Sequence, residues 1–165
     1  MKHWIYEHIL SITFGLIILI FAFWAWIPKL QTTEFLYPAL GAVVGLSYFV
    51  LKQHLEEVKL FKELFTEFNE RFDEMNGDLF DILEGPVDRE LTRDEKKKLF
   101  DYFNLCAEEY LYYRKGFIYR EVWNAWRNGM RVFSNCPRIR SLWGAELEAN
   151  SYYGFKLPER SSSGK

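Results

Sequence analysis

The chain has 165 residues, a formal net charge of −2 and 19% aromatic side chains, enough for one modest domain plus an anchor. Its two cysteines, Cys106 and Cys136, form no CxxC pair and neither is near a histidine in sequence, which argues against a disulfide framework or a zinc site. The near-neutral total hides two opposed segments: residues 63–109 carry 15 acidic and 6 basic side chains, a balance of −9, whereas residues 114–143 carry 7 basic side chains and one acid, Glu121, a balance of +6.

Residues 9–27 read ILSITFGLIILIFAFWAWI, 19 positions without a charge. That is close to the ~20 residues a helix needs to cross the hydrocarbon core of a bilayer. It is too long for the apolar part of a signal peptide and offers no small-residue cleavage site. Residues 35–51, FLYPALGAVVGLSYFVL, form a second uncharged run of 17. The connector at 28–34 is short enough only for antiparallel neighbours, so a two-helix transmembrane hairpin is expected. Trp4 and Tyr6 mark one interface, and Trp24, Trp26 and Tyr37 the other. Lys29 is the one positive charge at the turn, against Lys2, Lys52, Lys59 and Lys62 on the opposite side. This bias places both termini in the cytoplasm.

Ser11 and Gly15 in the first run, and Gly41 and Gly45 in the second, are spaced i and i+4, so each pair shares a helix face and permits close backbone approach. They fit packing within the hairpin or contact between copies. Pro38 is expected in the first turn of the second helix, where its missing N–H costs little. Neither run contains Asp, Glu, Lys, Arg or His, so one copy has no obvious ion pathway. A pore would need several copies, lined by Ser11, Thr13, Ser47 or Tyr48.

The second run continues into an amphipathic stretch at 52–77, with apolar positions at Leu51, Leu55, Val58, Phe61, Phe65, Phe68, Phe72 and Met75. Steps of three and four mark one face of a helix. That face needs a coiled-coil partner or the later helices, and its phenylalanines favour the latter, since strict coiled-coil seams prefer branched aliphatics. Gly77 is expected to end this helix, with a short helix at 78–84 stopped by Gly85-Pro86. Thr92-Arg93-Asp94-Glu95 reads as a capping box opening a helix to about Lys115, closed by Gly116. Further helices are expected at about 119–133 and, led by Pro137, at 137–148. No strand is expected. The fold class is all-α: a hairpin, a long helix leaving the second span, a small helical domain at 78–155, and a disordered tail at 156–165.

Little in the chain points to catalysis. His3, His8 and His54 all flank the apolar runs, which leaves the helical domain without histidine-based nucleophile or metal arrangements. No glycine-rich phosphate loop is present. The acids between Glu67 and Asp81 lie opposite the apolar stripe and read as a solvated face. Glu108 and Glu109 are adjacent in an aromatic helix, and one is expected to be buried and paired with an arginine of the basic segment. Cys106 reads as a small core residue. The segment Arg114, Lys115, Arg120, Arg127, Arg131, Arg138 and Arg140, interleaved with tyrosines and tryptophans, suits single-stranded nucleic acid or an acidic partner. The preferred reading is that its aromatics form a core at three-and-four spacing while its arginines pair with the acidic segment. No cofactor, metal or enzymatic activity is expected.

The strings DYFNLCAEEYLYYRKGFI, EVWNAWRNGM, NCPRIRSLWGAEL and SYYGF, over residues 101–155, resemble a bacterial family of unknown function with N-terminal transmembrane helices and a C-terminal helical domain. Some of its members look like two-transmembrane effectors of anti-phage systems, retron-associated ones included. The resemblance implies a membrane protein whose helical domain senses a protein or ribonucleoprotein partner and controls membrane-active hairpins that self-associate. A passive anchor for such a partner is the alternative.

Overall fold

The computed structural model describes residues 2–26, 33–86, 88–147 and 151–158. Five helices follow in order: α1 (Lys2–Trp26), α2 (Thr33–Glu84), α3 (Arg93–Arg114), α4 (Arg120–Ser134) and α5 (Pro137–Leu147). No strand occurs among the described residues, so the all-α expectation holds. The chain divides into two compact units, Met1–Lys59 and Leu60–Lys165, and α2 contributes to both.

In the first unit, α1 and α2 meet at Thr13 and Ser47, whose hydroxyls lie 2.6 Å apart. Each hydroxyl also reaches a carbonyl one turn back in its own helix, Thr13 to Ile9 at 2.7 Å and Ser47 to Val43 at 2.8 Å. Ile9 and Leu36 are buried. An apolar cleft of about 730 Å³ opens between the helices, lined by Leu16, Phe23, Trp26 and Ala39 among others. Pro38 lies inside α2, at its sixth residue rather than in its first turn, so α2 lacks the hydrogen bond that an N–H there would donate to residue 34. Among the described residues, no helix is long and apolar enough to cross a membrane, so the expected pair of spans does not rest on this structure. The connector at 28–34 lies almost wholly outside the described residues.

In the second unit, α2 does not stop at Gly77. A mid-helix glycine disfavours the helix by only ~1 kcal/mol relative to alanine. That is offset by the turn beyond it, where Leu79 and Ile82 are fully buried. The separate helix expected at 78–84 is therefore the last part of α2. The apolar stripe meets the later helices of the same chain: Phe68 packs edge-on against Trp126, Phe72 against Phe133, and Phe61 lies 4.2 Å from Tyr119. Within the first unit, the stripe residues Leu55 and Val58 remain exposed.

Helix α3 supplies the centre of the core with Leu99, Tyr102, Phe103, Leu105 and Cys106. It opens as expected: the Glu95 amide donates to the Thr92 hydroxyl at 3.2 Å, and the Thr92 amide donates to the Glu95 carboxylate at 2.7 Å. Arg89 adds an ion pair to the same carboxylate and, with the Thr92 amide, holds its pKa down to about 2. Beyond the end of α3, Gly116 takes the left-handed conformation at φ +81°, which costs glycine no Cβ clash. Trp123, Met130 and Phe133 of α4, and Ile139 and Trp143 of α5, close the core from the other side. Leu157 and Pro158, placed by the sequence at the start of a disordered tail, are buried.

Candidate functional site

The seven basic residues of the 114–140 segment separate into two groups. Arg138 points into the end of α2, where its Nη2 donates to the carbonyls of Ile82 at 2.6 Å and Gly85 at 3.1 Å, and its Nη1 to that of Arg89 at 3.4 Å. The last carbonyls of a helix have no intrahelical donor and carry partial negative charge, which a guanidinium satisfies. Arg140 donates to the carbonyls of Ser134 at 2.9 Å and Pro158 at 3.0 Å, which ties the segment at 151–158 to the core. Arg114 reaches the Tyr153 carbonyl at 3.4 Å and lies 5.7 Å over the Tyr110 ring. These three are committed to the fold.

Lys115, Arg120, Arg127 and Arg131 are exposed. Arg120, Arg127 and Arg131 stand at i, i+7 and i+11 of α4 and so share its outer face. Arg131 donates to Asn128 at 3.0 Å, whereas Arg120 and Arg127 make no hydrogen bond or ion pair among the described residues. Phe117 and Tyr119 are exposed just before this face. The other aromatics belong to the core: Trp123 stacks on Tyr113 at 5.2 Å, and Trp143 packs edge-on against Phe103 at 4.7 Å. Trp126 is only half-buried, stacked over Phe65 at 6.0 Å. The expected pairing of these arginines with the acidic segment does not occur among the described residues. The acids there find cations within their own segment, Asp78 with Lys98 and Glu108 with Arg71.

Of the adjacent glutamates, Glu108 pairs with Arg71 at 2.5 Å, an arginine of α2 and not of the basic segment. Glu109 is 5% exposed and makes no hydrogen bond among the described residues. Burial pushes its pKa up to about 8, against the pull of Arg71. It borders a cavity of about 180 Å³ between α2, α3 and α4. Its position was open to reading from the spacing: Glu109 falls seven residues after Tyr102 and three after Cys106, on the buried face. Cys106 is itself buried, as expected for a core residue, and burial pushes its thiol well up. Among the described residues, no group of acids, histidines and cysteines is arranged to hold a metal ion.

In the first unit, Ser11, Gly41 and Gly45 are exposed and Gly15 is half-buried. A Cβ at any of the three glycines would meet nothing within 4 Å, so these small residues do not seat one hairpin helix on the other. Tyr48 is exposed one turn past Gly45 on the same face, whereas Thr13 and Ser47 bond each other. No family model, no curated protein and no solved structure matches the chain.

Proposed function

We propose that α1 and the first part of α2 form a two-span hairpin in a bacterial inner membrane, and that the helical unit, on the cytoplasmic side, binds a partner that controls self-association of the hairpins. One observation carries this reading: large apolar side chains face outward all round the hairpin, among them Phe14, Leu19, Phe23, Leu46 and Phe49. An apolar surface of that extent needs a cover, and lipid covers every side at once. Within the uncharged run at 9–27, position 27 and the side chain at 10 lie outside the described residues. The full run at 9–27 has the length of a span.

Hairpin self-association draws support from the outward strip Gly41, Gly45 and Tyr48. Lipid provides no hydrophobic drive between helices, so close backbone approach at small residues must supply the contact. The partner surface is the outer face of α4, where Arg120 and Arg127 are free to meet an acidic protein or a nucleic-acid backbone. In an anti-phage setting the output is loss of membrane integrity. If the hairpins do nothing to the bilayer, the same architecture is a passive anchor.

Membrane potential in cells expressing the chain, compared with a Gly41→Leu/Gly45→Leu variant of equal abundance, tests the effector reading. Depolarisation by the first and none by the second is expected. If neither depolarises, the passive anchor is the better account; if both do so equally, copies meet through another surface. Reporter fusions after Lys165 and within residues 31–33 test the topology, and a periplasmic signal from the C-terminal fusion would overturn it.

A further inference from the structure

The cavity beside Glu109 has polar and aromatic walls: Asn69 and Phe72 of α2, Tyr102 and Cys106 of α3, and Trp126 of α4. Ala125 and Gly129, small and exposed, stand at its rim on α4. Its volume of about 180 Å³ is several times the ~30 Å³ that one water occupies in the liquid.

A carboxyl that is 5% exposed and without a hydrogen-bond donor is stable in two ways: it keeps its proton, or it receives a cation. Arg71 pulls on it electrostatically without hydrogen-bonding to it, its Nη1 being bonded to Glu108. An anionic ligand is disfavoured beside the carboxyl, and a purely apolar one leaves the carboxyl unsatisfied. Aromatic walls attract cations through their faces. A guanidinium suits this enclosure better than an ammonium: it is flat, more weakly hydrated, and presents two parallel N–H donors to a carboxylate. The Asn69 side-chain nitrogen donates to the Phe65 carbonyl at 2.7 Å, which leaves its oxygen to accept a further N–H.

We propose that this cavity is a binding site for a small guanidinium-bearing molecule, held by the Glu109 carboxylate and enclosed by Phe72, Tyr102 and Trp126. The empty site holds its carboxyl protonated at neutral pH, as burial raises the pKa to about 8. Binding then converts the carboxyl to carboxylate, and its proton leaves to solvent while the ligand keeps its own charge. The site belongs to the helical unit and does not depend on the membrane reading.

The test is calorimetric titration of the full chain in detergent micelles with ethylguanidinium at pH 7, in two buffers of different ionisation enthalpy. Saturable binding with release of close to one proton is expected, and the neutral isostere ethylurea should bind at least about tenfold more weakly. Glu109→Gln, which keeps the shape and removes the charge, should abolish the proton release and weaken binding by at least about tenfold. Gly129→Leu adds a side chain in open space at the rim and should weaken binding without lowering the thermal midpoint. No saturable binding in the millimolar range, binding without proton release, or equal affinity in Glu109→Gln would each overturn the proposal.

Discussion

In the helical unit most large apolar side chains point inward; in the hairpin unit many of them point outward. Phe68, Phe103 and Ile139 are almost wholly buried, while Phe14, Leu19 and Leu46 are each about two-thirds exposed. The only side-chain hydrogen bond recorded between the hairpin helices, among the described residues, is the inward-facing one between Thr13 and Ser47. The contrast separates the two units by packing: an aromatic core in one, and exposed apolar side chains in the other.

The sharpest way to break that contrast is to delete matched side chains. Phe103→Ala should destabilise the helical unit by ~3–5 kcal/mol, read by denaturant unfolding followed through tryptophan fluorescence. Leu46→Ala should leave the same transition unmoved. A shift from Leu46→Ala comparable to that from Phe103→Ala would show the hairpin surface to be part of the helical core.

A second effect, on the order of 3 kcal/mol, is tied to pH. The Glu109 carboxyl has a folded-state pKa of about 8 against an ordinary 4.5, so between these values the folded chain holds a proton that the unfolded chain has released. Stability therefore falls as pH rises from about 4.5 to about 8 and levels off above. Glu109→Gln should flatten this dependence and be more stable than wild type at pH 8. Unfolding midpoints at pH 5 and pH 8 measure it, and an unchanged slope in the variant would place the titration elsewhere.

A smaller effect sharpens the division among the arginines. Arg138→Ala removes the donors at the end of α2 and should cost roughly 1.5–3 kcal/mol. Arg127→Ala, on the open face of α4, should change stability by no more than ~0.5 kcal/mol. Equal costs would mean that Arg127 is also committed to the fold and is no longer available to a partner.

The local punctuation of the helical unit was legible in the chain: the Thr92–Glu95 box, the Gly116 stop and the Pro137 start each act through backbone groups within a few residues. Gly77 misled because its penalty is local, whereas the burial of Leu79 and Ile82 that overrides it is set by α3, α4 and α5. The arginines misled for a related reason. Charge counts reveal sign, and so suggest acids as partners for Arg138 and Arg140. Sequence does not show which helix ends will open toward them with unpaired carbonyls. The three-and-four aromatic spacing puts Trp123 and Trp126 alike in the core; Trp123 is buried there, whereas Trp126 is half-buried and lines the Glu109 cavity.

The contact between Thr13 and Ser47 has one more consequence. Two hydroxyls own two protons, yet three contacts stand within reach: Ile9 carbonyl to Thr13, Thr13 to Ser47, and Ser47 to Val43 carbonyl. Only two can be filled at once. If Thr13 donates across the seam, Ser47 donates back to Val43; if Ser47 donates across, Thr13 donates back to Ile9. Both arrangements fill the same number of bonds, and they differ in the direction of the dipole across the seam. The hairpin thus holds a small orientational degeneracy: its polarity can reverse by two hydroxyl rotations, with every heavy atom left in place.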